Sequence, residues 1–176
     1  MLAGVYRGTK GLGADEIEET YQKTLVLAES LDRDDVLIPA LNGLYSFNLM
    51  RSKNRKALEY AARLLQKATE TGEITYQMIG HRALGAVSFN TGDLPTAEGN
   101  LEKSLALYDE SLHGRSAWQI GTDHHTVATS LLSITRWVSG KPASAMSHQK
   151  QATHRAIDLG HQFNICLLYT SPSPRD

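Results

Sequence analysis

The side chains best suited to chemistry gather in one stretch, at His113, Asp123, His124 and His125. Neutral imidazole and carboxylate are zinc ligands, and a structural site needs four that converge. The spacing works against convergence, because adjacent residues such as His124 and His125 point to different faces of a helix. No metal is expected. Asp123 suits another task, capping the helix that follows it. His113 is expected to hydrogen-bond loop backbone, and Trp118 to fold back over a seam between helices. Near the start, Gly8, Lys10, Gly11 and Gly13 lack the Gly-Lys-Ser/Thr run and the preceding buried strand that a phosphate loop needs. No Ser, His and Asp set stands in a nucleophile context, and no paired carboxylates fall in a pocket-forming segment. No catalytic residue and no cofactor is therefore assigned.

Binding chemistry is sparser still. Arg82 falls in mid-helix and is expected on the concave side of a helical stack, with Asn42 and Gln77 near it in the pattern. A clamp for a peptide carboxylate needs several Lys, Arg and Asn residues on adjacent repeats. Only Asn42 and Arg82 fall at suitable places, and the next repeat offers Ser130 and Ile134. His81 takes a packing position. Glu16, Glu18, Glu19, Glu98, Glu102 and Lys103 read as solvated helix faces. The candidate interaction surface is thus Asn42, Gln77, Arg82, His113, Trp118 and Asp123.

The elements that must position these residues are helices in antiparallel pairs. The stretch His81–Asp109 carries Leu84, Gly85 and Phe89 on one predicted helix and Ala97, Leu101, Ser104 and Leu105 on the next, joined by a Gly-Asp turn. Small residues at Gly85 and Ala97 let two backbones approach, and Leu84 and Leu101 fill the seam. A mid-helix glycine costs about 1 kcal/mol against alanine, so Gly85 needs a packing reason of this kind. Ile17, Ala57 and Ala97 recur at steps of about 40 residues, and Ala145 is the fourth equivalent, delayed by a loop inserted from Ser111 to Thr122. Helices are predicted from Asp15 to Leu31, with Asp34 or Asp35 capping the next, which runs from Leu37 to Met50. Others follow over Arg55–Thr71, Glu73–Thr91, Leu94–Glu110, Val127–Trp137 and Pro142–Leu159, with a last one opening at His161. Gly72, Gly140 and Gly160 mark helix ends.

Composition bounds the reading. The chain has 176 residues, 41% hydrophobic and 21% charged, with net charge −1. One domain is the natural prior, and the basic footprint of a nucleic-acid binder is missing. No run of about 18 apolar residues indicates a membrane span, and the start lacks a signal-peptide core. A single cysteine gives no disulfide framework, which fits a reducing, cytoplasmic setting, although Cys166 lies in the tail from 166 to 176 and by itself carries no information about the compartment. Residues 1–13 read as a flexible lead-in and residues 14–165 as the repeat domain. Residues 166–176 break the apolar periodicity, and Pro172 and Pro174 forbid a helix there. That tail resembles a translated sequencing adapter, which marks the repeat domain as truncated. Apolar surface around Leu159, Phe163 and Ile165 is then expected to be exposed.

The pattern of Leu84, Gly85, Ala97, Leu101 and Ser104 resembles a tetratricopeptide repeat, so the expected fold is an all-α, tetratricopeptide-like α-solenoid. Over Lys10–Phe163 the chain is similar to the C-terminal repeat region of bacterial signalling proteins. Those proteins join an adenylate/guanylate cyclase-type or other output domain to an AAA-type ATPase of the STAND class. The matching phrases are Lys10-Gly11-Leu12-Gly13-Ala14; His81-Arg82-Ala83-Leu84-Gly85 with Phe89 and Gly92; Leu101-Glu102 with Leu105-Ala106-Leu107-Tyr108-Asp109; His113; Gly121 with Asp123; Trp137 with Gly140, Pro142 and Ala145; and Leu159-Gly160-His161. The family often has Gln-Asp-Pro-Gly where this chain has Thr122-Asp123-His124-His125, and Gly where it has Ser52. The resemblance implies a non-catalytic sensor arm that holds a protein, a peptide or another domain of its parent chain. Cyclase and ATP-binding motifs of such proteins lie upstream, and none is in this sequence. Two other readings stay open: a free-standing adaptor for a short peptide, and a metal-dependent enzyme built on the histidine loop.

Overall fold

The computed structural model describes residues 15–114, 122–160 and 162–170. These form helices α1 (Asp15–Ser30), α2 (Asp34–Met50), α3 (Asn54–Glu70), α4 (Ile74–Asn90), α5 (Leu94–Ala106), α6 (Glu110–His113), α7 (His124–Val138), α8 (Pro142–Leu159) and α9 (Gln162–Thr170). No strand occurs among the described residues. The architecture is the expected all-α helical solenoid, each long helix packing antiparallel on the next.

The punctuation is regular. Left-handed residues fall at Asp32, Ser52, Gly72 and Gly92, at intervals of twenty, and again at Gly140 and Gly160. At Ser52 the N–H reaches Leu49 O at 3.0 Å, and the next N–H, of Lys53, reaches Asn48 O at 2.9 Å. This closure satisfies carbonyls that a helix end would otherwise orphan. Gly72, Gly92 and Gly140 close their helices the same way. One helix therefore takes twenty residues and one hairpin forty. Between Gly92 and Gly140 the interval is eight residues longer than two such steps, and the insertion lies there.

Ile17, Ala57, Ala97 and Ala145 all lie in the first turn of their helices, α1, α3, α5 and α8, and all are buried. Ala57, Ala97 and Ala145 each meet the helix before their own, at Tyr45, Gly85 and Ser133. At the α4–α5 crossing a Cβ on Gly85 would stand 2.6 Å from Leu101 Cγ and 3.2 Å from Ala97 O. One repeat on, Ser133 occupies the Gly85 position and its hydroxyl donates to Ala145 O at 2.7 Å. In the first repeat the same position is Tyr45, buried in one cluster with Ala57 and Ala61. Ser104 ties α5 to α4 by donating to Met78 O at 2.9 Å.

Two rows result. Helix α4 touches both α2 and α7 directly. The other row is joined by long side chains instead: Gln22 Nε2 to Tyr60 Oη at 2.9 Å, Arg63 to Glu29, and Lys141 Nζ to Glu98 at 2.7 Å. Closer spacing on one side bends a stack toward that side, so the row in direct contact is the inner one.

Several expected boundaries are corrected. Helix α2 begins at Asp34, not Leu37, with Arg33 at its N-cap and no side-chain cap. Asp34 and Asp35 belong to its first turn, and Pro39 lies inside it. Pro39 is exposed, so water can serve the Asp35 carbonyl that proline leaves unbonded. The predicted helix to Glu110 stops at Ala106, and Asp109 then caps the short α6 by accepting from Ser111 N–H at 2.8 Å. The tail is helical through Thr170: Leu168 is buried against Ala152 and Ala156, with Ile165 beside it. Ile165 and Leu159 are thus partly buried rather than exposed. The lead-in at 1–13, Trp118, Gly121, the Phe163 side chain, and the prolines at 172 and 174 lie outside the described residues.

Candidate interaction surface

Counting from the turns, Asn42, Arg82 and Ser130 occupy one register on the inner helices, and Leu49, Phe89 and Trp137 occupy another seven residues on. Seven residues are two helical turns, so each pair shares a face. Trp137 is 48% exposed, and Leu49 and Phe89 are partly so. Helix α4, the middle of the row, contributes Arg82. Its guanidinium carbon lies 5.9 Å from the centre of the Tyr45 ring on α2. The Arg82 Nε, the Tyr45 hydroxyl and Asn42 Oδ1 are all buried and have no hydrogen-bond partner. Burial raises the Tyr45 phenol above its ordinary pKa, and the Arg82 charge partly offsets that rise.

The remaining candidates serve the frame. Gln77 Nε2 donates to Ala68 O at 3.1 Å, latching α4 onto the end of α3. His113 is buried; its Nδ1 accepts from the Asp109 N–H at 2.9 Å, which leaves Nε2 to donate to Thr75 Oγ1 at 3.1 Å. Asp123 caps α7, accepting from Thr126 N–H at 2.9 Å and from Thr126 Oγ1 at 2.6 Å. His81 pairs with Asn100 at 3.0 Å. No group of three His, Cys, Asp or Glu residues among the described ones is placed to hold a metal. His124 is buried with neither ring nitrogen hydrogen-bonded, while His125 meets the Tyr108 ring edge-on at 4.7 Å. Burial, and then the charge of Arg82, lowers His124 to about 3, so its ring is neutral at pH 7.

The sequence reading missed a clasp. Arg155, from the C-terminal half of α8, donates to Asp123 Oδ2 at 2.7 Å and to Glu110 Oε2 at 2.7 Å, and also reaches the Tyr108 hydroxyl. Tyr108 in turn donates to Glu110 Oε2 at 3.0 Å. Tyr108 and Glu110 precede the insertion and Asp123 follows it, so one arginine spans both ends. Burial pushes the Asp123 carboxyl up, but its bonds from Arg155 and Thr126 outweigh this and hold it below the usual carboxylate range. A second junction corrects the reading of Glu98 as a solvated face, while Glu102 stays exposed. Glu98 is largely buried and binds Arg136 at 2.9 Å and Lys141 at 2.7 Å, while Glu102 binds Arg136 at 2.5 Å. Partners 34 to 43 residues apart carry no local signal.

Asn42 and Arg82 share one register, with Phe89 and Trp137 at another two turns on, while Tyr45 is buried against α3 with its ring 5.9 Å from the Arg82 guanidinium. The structure places Gln77, His113 and Asp123 in supporting bonds. Comparison with known protein families and with characterised proteins finds no match to this chain.

Proposed function

We propose that this chain is a non-catalytic interaction arm whose inner face holds a protein segment, within a larger bacterial signalling ATPase or nucleotide-cyclase protein of the cytoplasm. The observation that carries the reading is the inner face itself. Three successive helices, α4 in contact with α2 on one side and α7 on the other, present Leu49, Phe89 and Trp137 in one register and Asn42, Arg82 and Ser130 in another. Apolar groups with a few polar ones beside them suit a peptide or helix laid across the row. The outer row exposes apolar residues too, Val26, Leu27, Leu58, Met146 and Ile157 among them; what sets the inner row apart is an apolar residue at the same register on each of its three helices. The family resemblance supplies the larger setting, in which the held segment is another part of the parent chain.

Photo-crosslinking tests this. A crosslinker placed at Phe89 or Trp137 in the parent protein should capture a discrete segment, whereas one at Lys56 or Glu59 on outer α3 should not. Capture from the outer positions alone would overturn the reading. A nucleotide-binding loop in the upstream reading frame favours the signalling arm; its absence favours the free-standing adaptor.

A further inference from the structure

Helix α3 shows which face joins one outer helix to the one before it. Tyr60 and Arg63 reach back to Gln22 and Glu29 on α1, and Lys67 reaches Asp34 at the start of α2. These three residues fall at steps of three and four, so they share one face of α3. With forty residues to a hairpin, the same face of α1 carries Thr20, Lys23 and Leu27. It points away from α3, toward the open end of the stack. Its chemistry differs from that of α3. Where α3 has Gln66, Lys67 and Thr71, α1 and its turn have Val26, Leu27 and Leu31, which are 64%, 59% and 60% exposed. Leu31 stands one turn beyond Leu27, its N–H donating to Leu27 O at 3.1 Å. Val26 and Leu27 line a groove of about 380 Å³ with Gln22, Lys23 and Ser30. Single exposed aliphatic side chains are ordinary, but adjoining ones mark a surface that something covers.

We infer that this face of α1 seats an amphipathic helix from the chain that precedes α1 in the parent protein, so that the arm is joined rigidly to its output machinery. The seat continues the α3–α1 junction one step earlier in the row. Ile17, 1% exposed, holds the register at which Ala57, Ala97 and Ala145 each meet the helix before their own. A helix preceding α1 thus has both a crossing point and an apolar strip on the helix it precedes. The strip asks for aliphatic side chains one turn apart and for no counter-charge, because Lys23 already pairs with Glu19 at 2.6 Å. A second copy of this chain fits less well, since a symmetric α1–α1 contact sets Lys23 against Lys23. The inference rests on the interaction-arm reading for its parent chain, and it adds the route: what the inner face holds is passed on through packed helices, not along a loose tether.

Cysteine alkylation tests it, in the parent protein and in the 176-residue chain, each with its other reactive cysteines replaced. Leu27→Cys should react with iodoacetamide roughly ten-fold or more slowly in the parent protein than in the shorter chain, the factor that burial of one leucine side chain carries. Gln66→Cys, exposed on α3 at the register of Val26, should react equally in both. Should Leu27→Cys misfold in the parent protein, Val26→Cys reads the same seat. A photo-crosslinker at Leu27 should join to a site upstream of Asp15 in the same chain. Equal alkylation rates at the seat in both proteins, or a crosslink from Leu27 to a second copy or to another protein, would overturn the inference. Inner-face capture at Phe89 or Trp137 with Leu27 open in the parent protein would leave the interaction arm standing and remove the rigid joint. A protected Leu27 without inner-face capture would keep the joint and remove the arm's binding face.

Discussion

Gly85 and Leu101 meet so closely that the glycine's missing Cβ would stand 2.6 Å from Leu101 Cγ. The α4–α5 crossing depends on that vacancy, since Leu101 is fully buried and has nowhere to retreat. Gly85→Leu should therefore destabilise by roughly 1–3 kcal/mol through overpacking. Gly99, on the facing helix α5, has nothing within 4 Å of its Cβ position. Gly99→Ala should stabilise by up to about 1 kcal/mol, from helix propensity alone. Urea denaturation of the two variants should give opposite signs; the same sign for both would reject the seam.

Turn strain gives a second contrast. Ser52 is held at φ 55, a conformation that costs a side chain about 1 kcal/mol or more. Ser52→Gly should raise the melting temperature, whereas Gly92→Ala, at φ 83, should lower it. Thermal melts followed by circular dichroism check both.

Acid should loosen the fold in two stages. His124 has a folded pKa of about 3 against 6.5 when free. Between those values the unfolded chain binds a proton that the folded chain refuses, so stability falls as pH drops below 6.5. His124→Leu should remove that slope, and should also relieve two unsatisfied buried nitrogens. A denaturation midpoint as acid-sensitive in the variant as in the parent would refute the assignment.

The second stage belongs to Asp123. Its folded pKa lies below the ordinary 3.8, so its contribution is complete above that value and disappears as pH falls through the folded pKa. Arg155→Met strips the buried carboxylate of its charge partner and should cost about 3 kcal/mol at neutral pH. The cost should shrink as the carboxylate is protonated, which pH-dependent denaturation measures. An equal cost at every pH would show that Arg155 acts by packing rather than by charge.

Periodic features of the fold were open to reading in the sequence because their causes are local. Ala57, Ala97 and Ala145 recur where helices must nest, and Gly72, Gly140 and Gly160 mark the left-handed ends. Local reading failed where a boundary was set by something else. Two aspartates before Leu37 looked like a cap, yet the Schellman closure at Asp32 and Arg33 starts α2 earlier and takes Pro39 inside. The break expected at Cys166 did not reckon with Leu168, whose burial depends on α8. Arg82 and Asn42 were found by register. Tyr45 and the Arg155 clasp were not, since only the folded chain brings α2 to α4 and α8 to the insertion.

Hydrogen–deuterium exchange on the parent protein, resting and stimulated, tests the inner-face account most directly. The account predicts that protection changes concentrate in α2, α4 and α7, around Asn42–Leu49, Arg82–Phe89 and Ser130–Trp137. Changes confined to the outer helices α3 and α5, or spread evenly along the chain, would contradict it.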